Sequence, residues 1–327
     1  MSKILKIGFI GCGLIANKRA KAIKADKIVA CCDIDEIAAS DFASKYNCEY
    51  FTCYQDLITN NELDIVFVAT IHSKLAEISN FAIQNDIHVF VEKPVGVSIK
   101  EIESLIEISN KHNSFVGVGY NHKLHPAIKK AKEMISNGLI GEVMYIRSSY
   151  GHGGRLGYEK EWRAKKELSG GGELLDQGSH LINLANWFLG SMELKYSNLK
   201  TYFWNMQLED NAFLILESPK GKIASLHASW TEWKNKFIFE IFGNMGKLEI
   251  SGLGKSYGVE QLTHYKMSES LLPPEIESWR FDGEDQSFSD ETCLFLESIK
   301  ENKKDFSTLE EALFSMKIIT EAYNDNS

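Results

Sequence analysis

The chain lacks the features that would place it in a membrane, outside the cell or on nucleic acid. No run of uninterrupted apolar residues is long enough to cross a bilayer, so no membrane span is expected. There are only 5 prolines and no low-complexity linker, so nothing marks a long disordered connection. The 6 cysteines (Cys12, Cys31, Cys32, Cys48, Cys53 and Cys293) form no Cys-x-x-Cys pair, and the neighbours Cys31 and Cys32 are poorly placed to bridge each other. Met1-Ser2-Lys3 leads straight into an apolar run with no signal or transit pattern. Together these absences predict a reduced, cytoplasmic protein. A net charge of −9 with no basic stripe argues against a nucleic-acid partner. His122, His125, His152 and His180 have no nearby cysteine and no His-Glu-x-x-His pattern, so no metal is expected. A Gly-x-Ser-x-Gly elbow and a Gly-x-x-x-x-Gly-Lys-Ser/Thr loop are also missing, which removes two common hydrolase classes.

What is present is ordinary globular composition, 44% hydrophobic and 25% charged, at a length of 327 residues that suits two domains. Up to residue 120 short apolar runs (4–10, 28–32, 65–69, 89–91 and 115–118) alternate with helical patterns such as 73–85 and 98–112. That alternation specifies a doubly wound α/β domain with a parallel sheet. From residue 121 the pattern changes. A helix over 125–136 leads to a strand at 143–150, and a second helix is expected over 173–188. Five strands then follow at 194–204, 212–217, 222–230, 237–243 and 247–250. Tight turns at Ser218-Pro219-Lys220-Gly221 and Gly243-Asn244-Met245-Gly246 predict an α+β domain with a large, mostly antiparallel open sheet. Residues 252–290 show no clear period, and a helix from 307 to 323 closes the chain. The division is therefore a doubly wound domain over 1–120 and an α+β domain over 121–327, which the segments that follow make candidates for a dinucleotide-binding Rossmann domain and a substrate-binding and oligomerisation domain.

Three segments carry chemistry. In the first, an apolar strand runs into Gly11-Cys12-Gly13-Leu14-Ile15-Ala16 and then into a helix. Gly11 permits a tight turn, Gly13 lets the backbone approach a pyrophosphate, and Ala16 lets the helix pack close to the sheet. The backbone at Leu14 and Ile15 offers the unpaired N–H donors of a helix N-terminus. Asp33, 20 residues after Gly13 at the end of the next apolar run, is placed to accept from an adenosine ribose. In the second segment, the strand ending at Val91 meets Glu92-Lys93-Pro94. Pro94 ends the ladder, so Lys93 projects at a defined place where its cation can stabilise a developing alkoxide. The third is Gly170-Gly171-Gly172-Glu173-Leu174-Leu175-Asp176-Gln177-Gly178-Ser179-His180. Its helix carries Leu174, Gly178, Leu181, Ala185 and Phe188 on one face and Asp176, His180, Asn183 and Trp187 on the other. The polar stripe holds no Lys, Glu or Arg. Asp176 and His180 are four apart, which suits a histidine general base tuned by a carboxylate. A polar helix face with no chemistry is the alternative.

In combination and order, these motifs resemble the glucose-fructose oxidoreductase / inositol dehydrogenase family, often called Gfo/Idh/MocA, over nearly the full length. The resemblance implies a Rossmann domain, an open-sheet α/β domain, an NAD(P) cofactor and hydride transfer at a secondary hydroxyl of a sugar or cyclitol. It maps the family's catalytic lysine to Lys93, its aspartate to Asp176 and its histidine to His180. It also implies a cis Lys93–Pro94 peptide and places Glu92 and Lys93 beside the cofactor. Where many members carry Thr-Pro-x-x-x-His, this chain reads Ala69-Thr70-Ile71-His72, leaving Thr70 and His72 as the expected contacts there. Where many members place an arginine, it reads Tyr120-Asn121-His122-Lys123, so substrate contacts are expected to shift to Asn121, His122 or Lys123.

Two further expectations concern binding. The segment from Gly151 to Arg163 combines glycines, aromatics and arginines, which suits a sugar ring or an anionic group, with Arg155, Tyr158 and Trp162 as candidate contacts. Phe237–Phe242 is apolar on alternate and intervening positions, so a second subunit is expected to cover one sheet face, giving a homodimer or homotetramer. Trp230 and Trp233 are expected to pack in the core. Asp33 with Ile34, Asp35 and Glu36 favours NAD over NADP, because no cation is at hand for a 2′-phosphate. Two alternatives stay open: a redox-neutral epimerase or glycosidase holding NAD tightly, and a non-catalytic cofactor-sensing protein.

Overall fold

The computed structural model describes residues 3–268 and 271–326. Two compact units divide the chain. The first runs through Tyr120 and takes in Glu167–Gly170 and Phe288–Phe314; the second comprises Asn121–Lys166, Gly171–Ser287 and the residues from Ser315 onward.

The first unit is built on a six-stranded parallel sheet in the order β3-β2-β1-β4-β5-β6. Its strands are β1 Lys6–Ile10, β2 Lys27–Cys32, β3 Glu49–Phe51, β4 Ile65–Val68, β5 His88–Val91 and β6 Val116–Val118. Helices α1 Leu14–Ala20, α2 Glu36–Tyr46, α3 Tyr54–Asn60, α4 His72–Gln84 and α5 Ile99–His112 alternate with them. The strands read as near-continuous apolar runs because both sheet faces are covered, and all four residues of β4 are buried. Helix α5 starts where its residues dictate: the Ser98 hydroxyl accepts from the Glu101 N–H and the Glu101 carboxylate accepts from the Ser98 N–H, a reciprocal cap. The core is a run of phenylalanines. Phe9 stacks on Phe67 at 4.9 Å, Phe67 on Phe90 at 5.3 Å, and Phe295 meets Phe90 edge-on at 5.1 Å. Phe295 comes from the returning segment, and Gly117 makes room for it: a Cβ there would lie 2.7 Å from the Phe295 ring.

The second unit contains α6 Pro126–Ser136 and α8 Ser179–Leu189, while the short α7 Lys166–Ser169 belongs, but for Lys166, to the first. Its eight-stranded sheet has the order β14-β13-β12-β11-β7-β10-β9-β8. The strands are β7 Val143–Gly151, β8 Glu193–Lys200, β9 Asn211–Glu217, β10 Ile223–Ser229, β11 Lys236–Gly243, β12 Gly246–Ser251, β13 Glu260–Lys266 and β14 Glu275–Phe281. Only β7 and β10 pair in parallel, so the sheet is mostly antiparallel, as the turn signals require. Two strands, β13 and β14, and the start of α9 Ser287–Glu301 occupy the stretch without a clear period in sequence. The last helix, α10, spans Leu309–Asp325. Strand β11 buries Phe237, Phe239 and Ile241. Its other face is mixed rather than apolar: Glu240 lies there between Ile238 and Phe242, bonded to Arg147 at 2.5 Å and Lys247 at 2.6 Å.

Candidate active site

The candidate residues fall in both units. In the first, β1 is followed at once by Gly11, whose φ of +89° is left-handed. A side chain there would also meet the Ala69 carbonyl at 2.3 Å, so only glycine fits. Gly13 is different. Nothing lies within 4 Å of where its Cβ would be, and it caps α1 with no side chain in the way. Leu14 is exposed, Ile15 half-buried and Ala16 fully packed, so the first turn of α1 presents open backbone while its third residue holds it to the sheet. The Asp33 carboxylate, just past β2, is tied to this loop: one oxygen accepts from the Cys12 N–H at 2.8 Å and the other from the Asp35 N–H at 3.0 Å. An open glycine backbone at a helix start, beside a fixed carboxylate, fits a dinucleotide.

Beyond β4, the Thr70 hydroxyl donates to the Ile71 carbonyl at 3.3 Å. His72 opens α4 but is buried, its Nδ1 3.0 Å from the Ser169 carbonyl oxygen, so that nitrogen is committed to backbone rather than to a ligand. Glu92 likewise turns inward. Its carboxylate receives the Arg19 Nε at 2.5 Å, and the Arg19 Nη2 donates to Glu291 at 2.9 Å. Arg19 lies against the Phe90 ring at 4.2 Å and is 1% exposed. Burial opposes its charge, but the two carboxylates hold it protonated, above its usual range. This triad joins α1, the end of β5 and α9. Sequence spacing offers no signal for it. The Lys93–Pro94 peptide is cis and Lys93 is half-buried. Val95 follows with φ +78°, a left-handed conformation unusual for a β-branched residue.

In the second unit, Leu174–Gly178 forms a wide π-type turn that runs directly into α8. Such turns often occur at functional sites. The stripe without long charged side chains is buried: Asp176 is 9% exposed, His180 5% and Asn183 2%. Asp176 accepts from the Arg163 Nε at 3.1 Å. Arg163 lies over the Trp162 ring at 4.5 Å. Burial weighs against the Arg163 cation, yet Asp176 keeps it above its usual range. His180 is stacked on His122, with ring centroids 3.7 Å apart and planes 12° from parallel. Tyr150 stands edge-on to His122 at 5.1 Å, and Gln177 donates to the Tyr257 hydroxyl at 2.8 Å. Burial pushes the Tyr257 phenol up to about 12, so it stays protonated. Asn121 donates to Ser287 at 2.7 Å, and His125 meets Glu260 at 3.0 Å.

The segment of glycines and arginines is placed differently from its sequence reading. Arg155 is largely exposed and pairs with Glu161 at 2.8 Å, so the arginine on Asp176 is Arg163. Tyr158 is buried against Trp230 at 4.9 Å and Trp204 at 5.5 Å. Trp230 is core, as its strand alternation predicts, but Trp233 is 65% exposed. Gly153 and Gly154 owe their identity to clearance, since a Cβ would meet the Trp233 backbone at 2.8 Å and the Trp204 ring at 2.5 Å. Among the described residues, no group of three or more His, Cys, Asp or Glu is arranged to hold a metal ion, and no helix is long and apolar enough to cross a membrane.

Comparison with known proteins gives the chain its setting. Residues 5–120 match the oxidoreductase family described as an NAD-binding Rossmann fold, and residues 128–249 match the GFO/IDH/MocA C-terminal domain. The dTDP-3,4-didehydro-2,6-dideoxy-alpha-D-glucose 3-reductase of Saccharopolyspora spinosa is 26% identical over 256 residues, 76% of this chain and 75% of that protein. The inositol 2-dehydrogenase of Salmonella paratyphi B is 24% identical over 229 residues, 66% of this chain and 65% of that one. Among such curated relatives the chain spans from 55% to 86% of the other protein's length. A solved levoglucosan dehydrogenase in complex with NADH superposes with a TM-score of 0.89 at 18% identity, covering 99% of this chain and 98% of that one, which shows the fold.

Proposed function

The chain belongs to the GFO/IDH/MocA oxidoreductase family, and on that premise we propose that it transfers a hydride between NAD and a secondary hydroxyl of a sugar or cyclitol. The observation that carries the reading is the buried turn that holds Asp176 and His180 together on a helix stripe free of long charged side chains. NAD, when bound, supplies the hydride acceptor. Gly11, Gly13 and the N–H groups at Leu14 and Ile15 would hold its phosphates, and Asp33 would accept from the ribose. Thr70 lines the same edge of the sheet.

His180 acts as general base, taking the hydroxyl proton as the carbinol carbon gives up its hydride and becomes a ketone. Asp176 steadies the imidazole and Arg163 steadies Asp176. Lys93 stabilises the oxygen as negative charge develops. His122 holds the His180 ring by stacking, and Asn121 helps fix the segment from which His122 projects. Glu92 serves through Arg19, holding the strand end that carries Lys93. Trp162 supports Arg163, and Tyr158 shapes the aromatic wall beside them.

Three finer readings belong with this proposal. NAD is preferred over NADP, because the Asp33 carboxylate would meet a 2′-phosphate with like charge. The first unit serves the cofactor and the second the substrate and self-association, through the sheet face of Ile238, Phe242 and Tyr145. The protein works in the reducing cytoplasm, which suits the buried free thiols of Cys31 and Cys32. The test is a panel of sugars, cyclitols and nucleotide sugars assayed for NADH formation. Turnover of polyhydroxylated rings is expected. Protein that retains NAD through purification and converts such rings with no net NADH would favour the redox-neutral alternative instead.

A further inference from the structure

The three glycines before the Asp176 turn would ordinarily suggest flexibility. Two of them are fixed by their neighbours instead. A Cβ on Gly171 would lie 2.2 Å from the Tyr323 hydroxyl, and one on Gly172 would lie 2.3 Å from the Glu209 carbonyl and 2.7 Å from its carboxylate. Glu209 sits two residues before β9 and is 7% exposed. Its Oε1 accepts from the Leu174 N–H at 3.0 Å and from the Tyr323 hydroxyl at 2.9 Å. The Tyr323 hydroxyl in turn accepts from the Gly172 N–H at 3.2 Å, and the Glu209 carbonyl accepts from the Glu173 N–H at 3.1 Å.

These are the N–H groups of 172, 173 and 174, the donors that a helix start leaves without intrahelical partners. A local Ser or Asp cap would satisfy one of them. Here Glu209, 35 residues beyond Leu174 and just before a sheet strand, secures all three: its carboxylate takes the Leu174 N–H directly and reaches Gly172 through Tyr323, and its backbone carbonyl takes the Glu173 N–H. The next link is Asp176 itself, whose N–H donates to the Gly172 carbonyl at 3.1 Å. A slip of one residue at this start would rotate Asp176 and His180 by about 100° about the helix axis.

We propose that Glu209, with Tyr323, is a positioning residue that sets the register of the turn carrying Asp176 and His180, an inference that rests on reading those two as the base and its support. Glu209 touches no reacting atom in this account. It acts by fixing where the helix begins, which is why Gly171 and Gly172 must lack side chains.

The experiment compares wild type with Glu209→Gln, Glu209→Leu, Tyr323→Phe and Asp176→Asn. It measures kcat, KM and the pH dependence of kcat/KM on the best substrate of the panel, NAD affinity by fluorescence, and hydrogen exchange of the segment 171–180. Glu209→Gln keeps an acceptor for Leu174 and should hold kcat within about threefold of wild type. Glu209→Leu should lower kcat by about 10- to 100-fold, the scale of a small misplacement of catalytic groups. Its NAD affinity should not change, and its acid limb should move in the direction seen for Asp176→Asn. Exchange over 171–180 should quicken in Glu209→Leu and stay slow in Glu209→Gln. If Glu209→Leu does not fold, Tyr323→Phe should show the same pattern in smaller measure. A folded Glu209→Leu or Tyr323→Phe with wild-type exchange and an unmoved pH profile overturns the proposal. An Asp176→Asn variant with wild-type kcat overturns the reading of the base instead, while the exchange data still decide the clamp.

Discussion

Glu209→Gln makes the clamp measurable as a stability that depends on pH. Burial pushes the Glu209 carboxyl up to about 7 from an ordinary 4.5, even though Tyr323 and the N–H groups of Leu174 and Gly172 favour its charged form. A carboxyl whose value is raised on folding binds its proton more tightly in the folded chain. Its contribution to stability is therefore full below pH ~4.5 and is lost as pH rises through about 7. At about 1.4 kcal/mol per pH unit, the span from 4.5 to 7 corresponds to about 3 kcal/mol. Glutamine has nearly the same shape and no proton to lose. Relative to wild type, Glu209→Gln should therefore gain up to about 3 kcal/mol of unfolding free energy between pH 5 and pH 8. Urea denaturation of both proteins at the two pH values measures the change. Parallel stability curves for the two proteins across that range would refute the claim that a carboxylate is buried at the start of this turn.

Four other substitutions probe separate parts of the account. Arg19→Met strands the Glu92 and Glu291 carboxylates in the first unit and should cost about 3–5 kcal/mol in urea unfolding at neutral pH; a loss below about 1 kcal/mol would mean the triad is not a buried charge network. Asp33→Ser removes the carboxylate that bonds the Cys12 N–H, so NAD should weaken and NADP should strengthen in direct titrations; an unchanged ratio would place the ribose elsewhere. Of the two arginines in the segment 151–163, Arg163→Ala should lower kcat/KM at least about tenfold, whereas Arg155→Ala should act only weakly because Arg155 is exposed and paired with Glu161. The reverse order in steady-state kinetics would return the loop arginine to the substrate.

The sequence discloses the parts of this protein whose causes are local. The turn from β1 through Gly11 and Gly13 into α1 is legible because its geometry needs glycine there. The burial of Asp176 and His180 is legible because their stripe has no long charged side chain. Strand β3 is not, being three residues at a sheet edge with two of them exposed. Nor is β14, an edge strand exposed along most of its length, which gives no alternation to read. The parallel pairing of β7 with β10 and the return of Phe295 under Gly117 depend on partners far away in sequence. The same holds for side chains with a choice of partner. Asp176 could have met any of several cations and takes Arg163, while Glu92, expected from sequence beside the cofactor, takes Arg19. Glu209 is the extreme case, a lone glutamate before a strand whose role is fixed by Gly172 and Tyr323.

The central claim is direct hydride transfer from a ring carbinol to NAD with His180 as the base, and isotope transfer tests it most directly. The substrate from the panel that gives the most NADH would be supplied with deuterium on the carbinol carbons and incubated with NAD and the protein, with wild type and His180→Ala compared. The account predicts deuterium on the nicotinamide of the NADH formed by wild type. It also predicts slower turnover of the deuterated ring, and turnover at least about a hundredfold lower in His180→Ala with NAD affinity nearly unchanged. NADH without deuterium, or His180→Ala turning over at the wild-type rate, would contradict it.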